Sequence, residues 1–533
     1  MDRREFVQGL MVQGLVGAVA TTGLRAEAET SAGQSELQAR LAADPLRPQY
    51  HLLPLANWMN DPNGPIYWQQ KYHMFYQYNP EGAYWGDMHW GHAVSGDMVH
   101  WKQLPVALAP TPGGPDADGC FTGTAVVKDG RVVMLYTGVR AAPEDQATIR
   151  NGAESLLETQ CMAVASASDL GTWTKVVKPV LAAPPEGMAV NGFRDPAPWR
   201  EGDWWYMAIG SGIAGKGGAV LLYRSRDLAG WEFLHILAGR EGSIAVATDH
   251  ADPKEVWECP DFFELGSGDA ARHVLIYSTA GKAYWLSGRL DRATMRFVPE
   301  QAGTLDYGSF YAPKTQLDQA GNRILWGWIP ETRPLAEYKA AGWAGLMSLP
   351  RVMRLDGEGR VRVSVAEEAM ALRGREQKLT RTGGDRTGDE ASRLQQIAAM
   401  RIEGYCGEIL CVAGGGLSAF ELALESGVAG QAAWLRVAYD LARREVIAIN
   451  GAEYGIRIGP AEALEIHVCV DGSATEVFVN RQVACTLRCY PEGARAKPLH
   501  LTWTGKTSAI EGLSVWQLKP ISGDRLTRLT RVT

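Results

Sequence analysis

A short phrase recurs four times in the first 300 residues: SGDMVHW at 95–101, SASDLGTW at 166–173, SRDLAGW at 225–231 and, in weaker form, LDRATMRF at 290–297. Its closing aromatics, Trp101, Trp173, Trp231 and Phe297, stand 72, 58 and 66 residues apart, which each time leaves room for a four-stranded antiparallel sheet and its loops. Between the phrases, apolar and aromatic residues come in short runs cut by turns: KYHMFYQY, RVVMLYTG, DWWYMAIGS, HVLIYST and RILWGWI. Such runs read as strands, and helical periodicity is hard to find among them. Sheets repeated at this spacing are the blades of a β-propeller. The expectation is an all-β chain with five blades over residues 45–360, the fifth marked by strand content alone.

Character changes abruptly after that. Residues 361–398 are charged, helix-permitting and broken by Gly, and are expected to form a linker with one short helix. From 399 to 522, AFELALES, WLRVAYDL, EVIAIN, HVCVDG, TEVFVN and LHLTWT alternate with turns in the manner of a β-sandwich. Only three of the 18 tryptophans fall in this part, so it is expected to support the propeller rather than bind sugar. At the other end, Arg3-Arg4-Glu5-Phe6, a weakly apolar run from Gly9 to Leu24 and Ala26-Glu27-Ala28 resemble a twin-arginine export signal over residues 1–28. The run is too short and too diluted to span a bilayer comfortably, so the mature chain is expected to be exported, periplasmic or extracellular, without a membrane anchor.

Charge and cysteine usage exclude several classes. With 53 Lys and Arg against 60 Asp and Glu, the net charge is −7, and no basic run could track phosphates; nucleic acid is not expected as a partner. Eight cysteines in 533 residues are too sparse for a disulfide scaffold, although Cys406 with Cys411 and Cys485 with Cys489 could pair. No Cys/His spacing suggests zinc, and neither a structural metal nor a cofactor is expected.

The phrase also gives a frame for locating chemistry. Asp61 is followed by Pro62, Asp195 by Pro196 and Glu258 by Cys259-Pro260, and each precedes a short aromatic strand. Counted to the closing aromatic of its blade, the three acids lie 40, 36 and 39 residues upstream, which reads as one structural slot used three times. Equivalent slots in a propeller converge at one end of the central channel. A single Asp in Asp-Pro-Asn-Gly is explained by its turn, but three carboxylates brought together repel and split their pKa values, a strain associated with function. Paired carboxylates of split pKa with aromatic walls are what glycoside hydrolysis needs. Trp58, Trp85, Trp90 and Trp257 flank the acids or the loop after the first hairpin, and are the candidates for stacking on sugar.

WMNDPNG at 58–64, WGDMHWGHAVSGDMVHW at 85–101, FTGTA at 121–125, FRDP at 193–196, WECPDFF at 257–263 and GWAGLMSLPR at 342–351 resemble the motifs of glycoside hydrolase family 32, in family order. That family includes invertases, levanases and exo-inulinases. HVCVDGSATEVFVN at 467–480 is similar to the signature strands of its C-terminal β-sandwich. The resemblance implies that Asp61 is the nucleophile, Glu258 the general acid/base and Asp195 a transition-state stabiliser gripping fructose hydroxyls. It further implies a fructose pocket of Asn60, Gln77, Trp85, Thr122 and Arg194, with Thr122 and Thr124 standing where the family often has serines. Cys259 matches the family's Glu-Cys pair and reads either as a small buried residue or as a tuner of Glu258. Retention of configuration would place the Asp61 and Glu258 carboxyls ~5–5.5 Å apart. The expected activity is release of fructose from sucrose or from the terminal unit of levan or inulin. A fructosyltransferase with the same acids, or a carbohydrate-binding propeller without catalysis, are the alternatives; the second would be expected to lack an acid.

Overall fold

The computed structural model describes residues 35–523, apart from 152–153, 242–243, 245–251, 253, 381–388, 415–418, 429, 441–445, 458–462 and 492–496. The leader-like residues 1–28 lie outside the described residues. Among those described, five antiparallel sheets follow one another along the chain. Their innermost strands are Asn57–Trp68, Cys120–Lys128, Val190–Glu201, Glu258–Leu265 and Tyr311–Leu317, here blades I to V. The inner strand of blade I touches those of II and V, II touches III, III touches IV and IV touches V, so the sheets close into a five-bladed β-propeller.

Closure is made by the chain itself. After blade V has begun, Trp343–Ala344 returns to pair in parallel with the inner strand of blade I, matching Asn57 to Trp343 and Trp58 to Ala344. The turn that permits this is Gly345 at φ 73°, where an added Cβ would fall 1.9 Å from the Met59 carbonyl oxygen. Only glycine fits so close to another backbone.

The repeated phrase has a physical basis: it is the turn between the third and fourth strands of a blade. Met98, Leu170, Leu228 and Met295 each take positive φ there (64°, 60°, 65° and 55°) while their side chains are buried. The preceding acid caps the turn; Asp97 Oδ1 accepts from the backbone N–H groups of Val99 and His100, and Asp227 Oδ1 from those of Ala229 and Gly230. The closing indoles of Trp101, Trp173 and Trp231 donate to the carbonyls of Met98, Leu170 and Leu228, each at 2.9 Å. Phe297 has no N–H to donate, which is why the fourth copy reads as the weak one.

Residues 361–398 are not a free linker. Val361–Val365 is the outermost strand of blade V, and Arg373–Lys378 pairs with Ile510–Leu518 in the sandwich. Asp389–Ala399 is the expected helix, docked through Ile397 in the sandwich core and Arg393, whose guanidinium donates to the carbonyls of Thr507 and Ile510. Its charged composition hid these roles because edge strands and a one-sided helix need few apolar positions. The C-terminal part is a β-sandwich of two six-stranded sheets among the described residues. Trp434 and Trp503 are buried in its core, and Trp516 lies under the Arg373 guanidinium. Among the described residues none of the eight cysteines forms a disulfide. Cys406 and Cys411 sit five apart on one strand, which turns their side chains to opposite faces and prevents pairing.

The two units share a core. Phe263, Trp285, Phe310 and Met353 of the propeller pack with Cys406, Cys469, Phe478 and Leu518 of the sandwich. Beside it runs a buried ionic network: Arg351 binds Asp306 (2.8 Å) and Glu476, and His51 bridges Asp471 (2.8 Å) and Glu476 (2.9 Å).

Candidate active site

All five inner strands break at the same level. Pairing with the second strand skips between Met59 and Pro62, Cys120 and Gly123, Arg194 and Ala197, Glu258 and Asp261, and Tyr311 and Lys314. Each skip is a β-bulge in which two residues face one of the partner strand, bending the strand and re-aiming its side chains. Asp195, Cys259 and Ala312, the first unpaired residue in blades III to V, have φ of 65°, 51° and 52°. Side chains that would otherwise alternate are thereby gathered at one end of the channel.

The three acids do share this device, yet they do not share one slot. Glu258 is the last paired residue before its bulge, Asp195 the first unpaired residue of its own, and Asp61 the second. By the same count Arg194 and Tyr311 stand in the position of Glu258, Cys259 in that of Asp195, and Thr122 in that of Asp61. Counting along sequence missed the offset because the spacing from bulge to closing aromatic differs by a few residues between blades.

Geometry joins these positions directly. Thr122 Oγ1 donates to Asp61 Oδ2 at 2.7 Å, and Asn60 Nδ2 to Asp61 Oδ1 at 3.1 Å. The Cys259 thiol lies 3.3 Å from Asp61 Oδ2 and 3.4 Å from Asp195 Oδ2, and its backbone N–H donates to the latter at 2.7 Å. Arg194 spans Glu158 (2.7 Å) and Glu258 (3.1 Å), and the Tyr311 hydroxyl donates to the other oxygen of Glu258. Asp61, Asp195 and Glu258 are thus linked through Cys259 and Arg194 into one cluster.

Burial pushes the Asp195 carboxyl up to about 7; the Asp61 and Glu258 charges add to this, and Arg194 and Lys314 oppose it. Burial alone would lower Arg194, but Glu158, Glu258 and Asp195 outweigh it and hold the guanidinium firmly charged. The Cys259 thiol is driven well up by burial and by Asp195 and Asp61, so it is a neutral donor.

Of the expected pocket residues, Asn60, Thr122 and Arg194 touch the acids directly. Trp85 is half-buried, packed edge-on to Phe121 at 5.9 Å. Gln77 is 2% exposed, lies opposite the Asn60–Asp61 bulge and donates to the Cys120 carbonyl at 2.9 Å, holding the backbone that leads to Thr122. The other stacking candidates are interior. Trp58 is fully buried and orients Asn60 through its indole N–H (2.7 Å); Trp90 is fully buried against the Phe121 carbonyl; Trp257 stacks on Tyr277 at 3.9 Å. Trp257 directly precedes Glu258, and alternation along the chain turns it to the opposite face. Cys259 likewise addresses Asp61 and Asp195 through its thiol rather than its neighbour Glu258.

Three contributors escaped the sequence. Glu158, fully buried, accepts from the Phe193 N–H (2.6 Å) and from Arg194, and nothing marks it within a strand of blade II. Thr137 Oγ1 accepts from the Asp195 N–H at 2.8 Å. Tyr311 was legible in principle, since Tyr311-Ala312-Pro313 repeats the pattern of Arg194-Asp195-Pro196 and Glu258-Cys259-Pro260.

Comparison with known proteins identifies the family. The profile "Glycosyl hydrolases family 32 N-terminal domain" matches residues 51–364, and "Glycosyl hydrolases family 32 C terminal" matches 371–517. The chain is 33% identical to a sucrose-6-phosphate hydrolase of Escherichia coli over 88% of its own length and 94% of that protein. Among solved structures it resembles a family 32 beta-fructofuranosidase of Bombyx mori, with a TM-score of 0.70 and 28% identity over 93% of this chain and 99% of that one. It also resembles fructan 1-exohydrolase IIa of Cichorium intybus, with a TM-score of 0.69 and 26% identity over 89% and 98%. The chain belongs to glycosyl hydrolase family 32.

Proposed function

We propose that the protein is a retaining β-fructofuranosidase that releases fructose from a terminal β-fructofuranosyl unit by double displacement. The observation that carries this reading is the meeting of Asp61, Asp195 and Glu258, from blades I, III and IV, around a single channel mouth. In the first step an Asp61 carboxylate oxygen attacks C2 of the fructosyl unit. The bond from C2 to the leaving oxygen breaks as Glu258 gives that oxygen its proton. Thr122 and Asn60, each bonded to one Asp61 oxygen, hold the carboxylate's orientation for attack. Once deprotonated, Glu258 is paired with Arg194, which keeps it in place to take a proton from the water that breaks the Asp61 ester. Asp195, whose carboxylate is held by the backbone N–H and the thiol of Cys259, accepts hydrogen bonds from fructose hydroxyls that strengthen as charge develops at C2.

The relatives act, by name, on sucrose 6-phosphate, β-fructofuranosides and fructan, so the leaving group is the open question. Purified chain should be assayed for fructose release from sucrose, sucrose 6-phosphate, inulin and levan, with products at high sucrose resolved by size. Free fructose from at least one substrate is the expected result; predominance of longer oligofructosides would make the protein a transferase, and no turnover on any would make it a binding propeller. No helix among the described residues is long and apolar enough to cross a membrane. The Arg3-Arg4 leader supports an exported enzyme, which cell fractionation tests by locating activity outside the cytoplasm.

A further inference from the structure

We infer that Lys314, on the inner strand of blade V, is a positioning residue for this reaction: its buried ammonium, seated behind the residue that holds Asp195, opposes protonation of that fructose-gripping acid. The inference rests on the fructosidase reading above and adds a residue that the acids themselves do not reveal.

Lys314 is 1% exposed, and its Nζ donates to the Pro260 carbonyl at 2.8 Å. That carbonyl needs only a neutral donor, whereas a buried ammonium carries a large desolvation cost unless opposite charge lies close by. Among the described residues no carboxylate stands within ion-pair distance of Lys314, so its balance is through space. Pro260 follows Cys259, whose N–H and thiol both touch Asp195 Oδ2. The ammonium is therefore seated one peptide behind the acid cluster.

The groups facing Asp195 can be taken blade by blade. Blade I presents Asp61, blade II the Thr137 hydroxyl, blade IV Glu258 and Cys259, and blade III its own Arg194. Arg194 is already engaged by Glu158 and Glu258. Lys314 is the remaining cation that opposes protonation of Asp195, against burial and two neighbouring acids. Blade V thus addresses the site twice across its bulge, with Tyr311 on Glu258 before it and Lys314 on the Pro260 carbonyl, next to Cys259, after it.

The test compares Lys314→Gln, which keeps a donor to Pro260 and loses the charge, with Lys314→Arg, which keeps both. In full-length protein, kcat/KM is measured from pH 4.5 to 9 on whichever fructoside the wild type hydrolyses. Loss of the charge should move the acid limb for Lys314→Gln upward by about one pH unit, a roughly tenfold deficit near pH 5.5 that narrows above pH 8. Lys314→Arg should keep the wild-type limb. A second readout needs no substrate: the pH at which the divergence in Tm between each protein and its Asp195→Asn counterpart levels off, which follows the folded-state carboxyl, should rise in Lys314→Gln. A uniform loss with an unmoved limb, or an unmoved divergence, makes Lys314 merely structural and overturns the inference. A wild type that releases no fructose while the divergence still moves would defeat the proposed function and leave the charge relation standing.

Discussion

At the scale of single residues, the site separates three carboxylates by what holds them rather than by their type. Asp61 is fixed by Thr122 and Asn60, Glu258 by Arg194 and Tyr311, and Asp195 by backbone and burial. Asp61→Asn and Glu258→Gln should each lower kcat by several orders of magnitude with little change in Tm. A fructoside with a good leaving group should partly restore the first step only in Glu258→Gln, as pre-steady-state release of the leaving group would report. Asp195 carries a folding consequence. Its folded-state value of about 7 lies above the unfolded one, so its contribution to stability is complete below about pH 4 and is lost as pH rises through 7. Asp195→Asn should therefore be inactive yet more stable than wild type above pH 7, by about 2–4 kcal/mol, with the gap closing below pH 4. Paired melting curves across that range check the sign.

At the scale of elements, the bulge carries the function and the capped turn carries the repeat. The turn was legible because its parts are side chains: an acid, a buried residue at positive φ and an indole recur in order. The bulge was only half legible. It is a feature of pairing, so sequence offsets located the three acids but not their stagger, and tryptophans beside the acids were read as walls when the strand turns them inward. Glu158 and Lys314 lay beyond reach for a related reason, since a lone charged residue in a strand gives no sign of which face or neighbour it will meet. Where the bulge meets ring closure, Gly345 is decisive. Gly345→Ala should push the Met59 carbonyl and with it the adjoining Asn60-Asp61 pair, giving a loss of several degrees in Tm and a fall in kcat far beyond what stability explains.

At the scale of the molecule, the propeller and sandwich are joined by charges sealed from water. Burial would lower His51, but Asp471 and Glu476 hold it up at about 9; the same burial would raise Glu476, but Arg351 and His51 bring it down to about 2. The His51 contribution is complete below about pH 6.5 and lost as pH rises through 9, and that of Glu476 is present above about pH 4.5 and lost as pH falls through 2. His73, lowered to about 4 chiefly by burial, adds a loss as pH falls from 6.5 through 4. Both interdomain contributions are thus intact together between about pH 4.5 and 6.5. Arg351→Met should deprive Asp306 of its guanidinium and leave Glu476 with His51 alone, cost about 3–5 kcal/mol, and separate the unfolding of propeller and sandwich in calorimetry. Ring closure has a further consequence, for timing. The residues that latch blade V to blade I come near position 343, and Asp61, the proposed nucleophile, lies four residues beyond their partner Asn57. In a chain still emerging from the ribosome that latch is unmade and Asp61 stands on an open ring, so hydrolytic activity is expected only once the circle is complete.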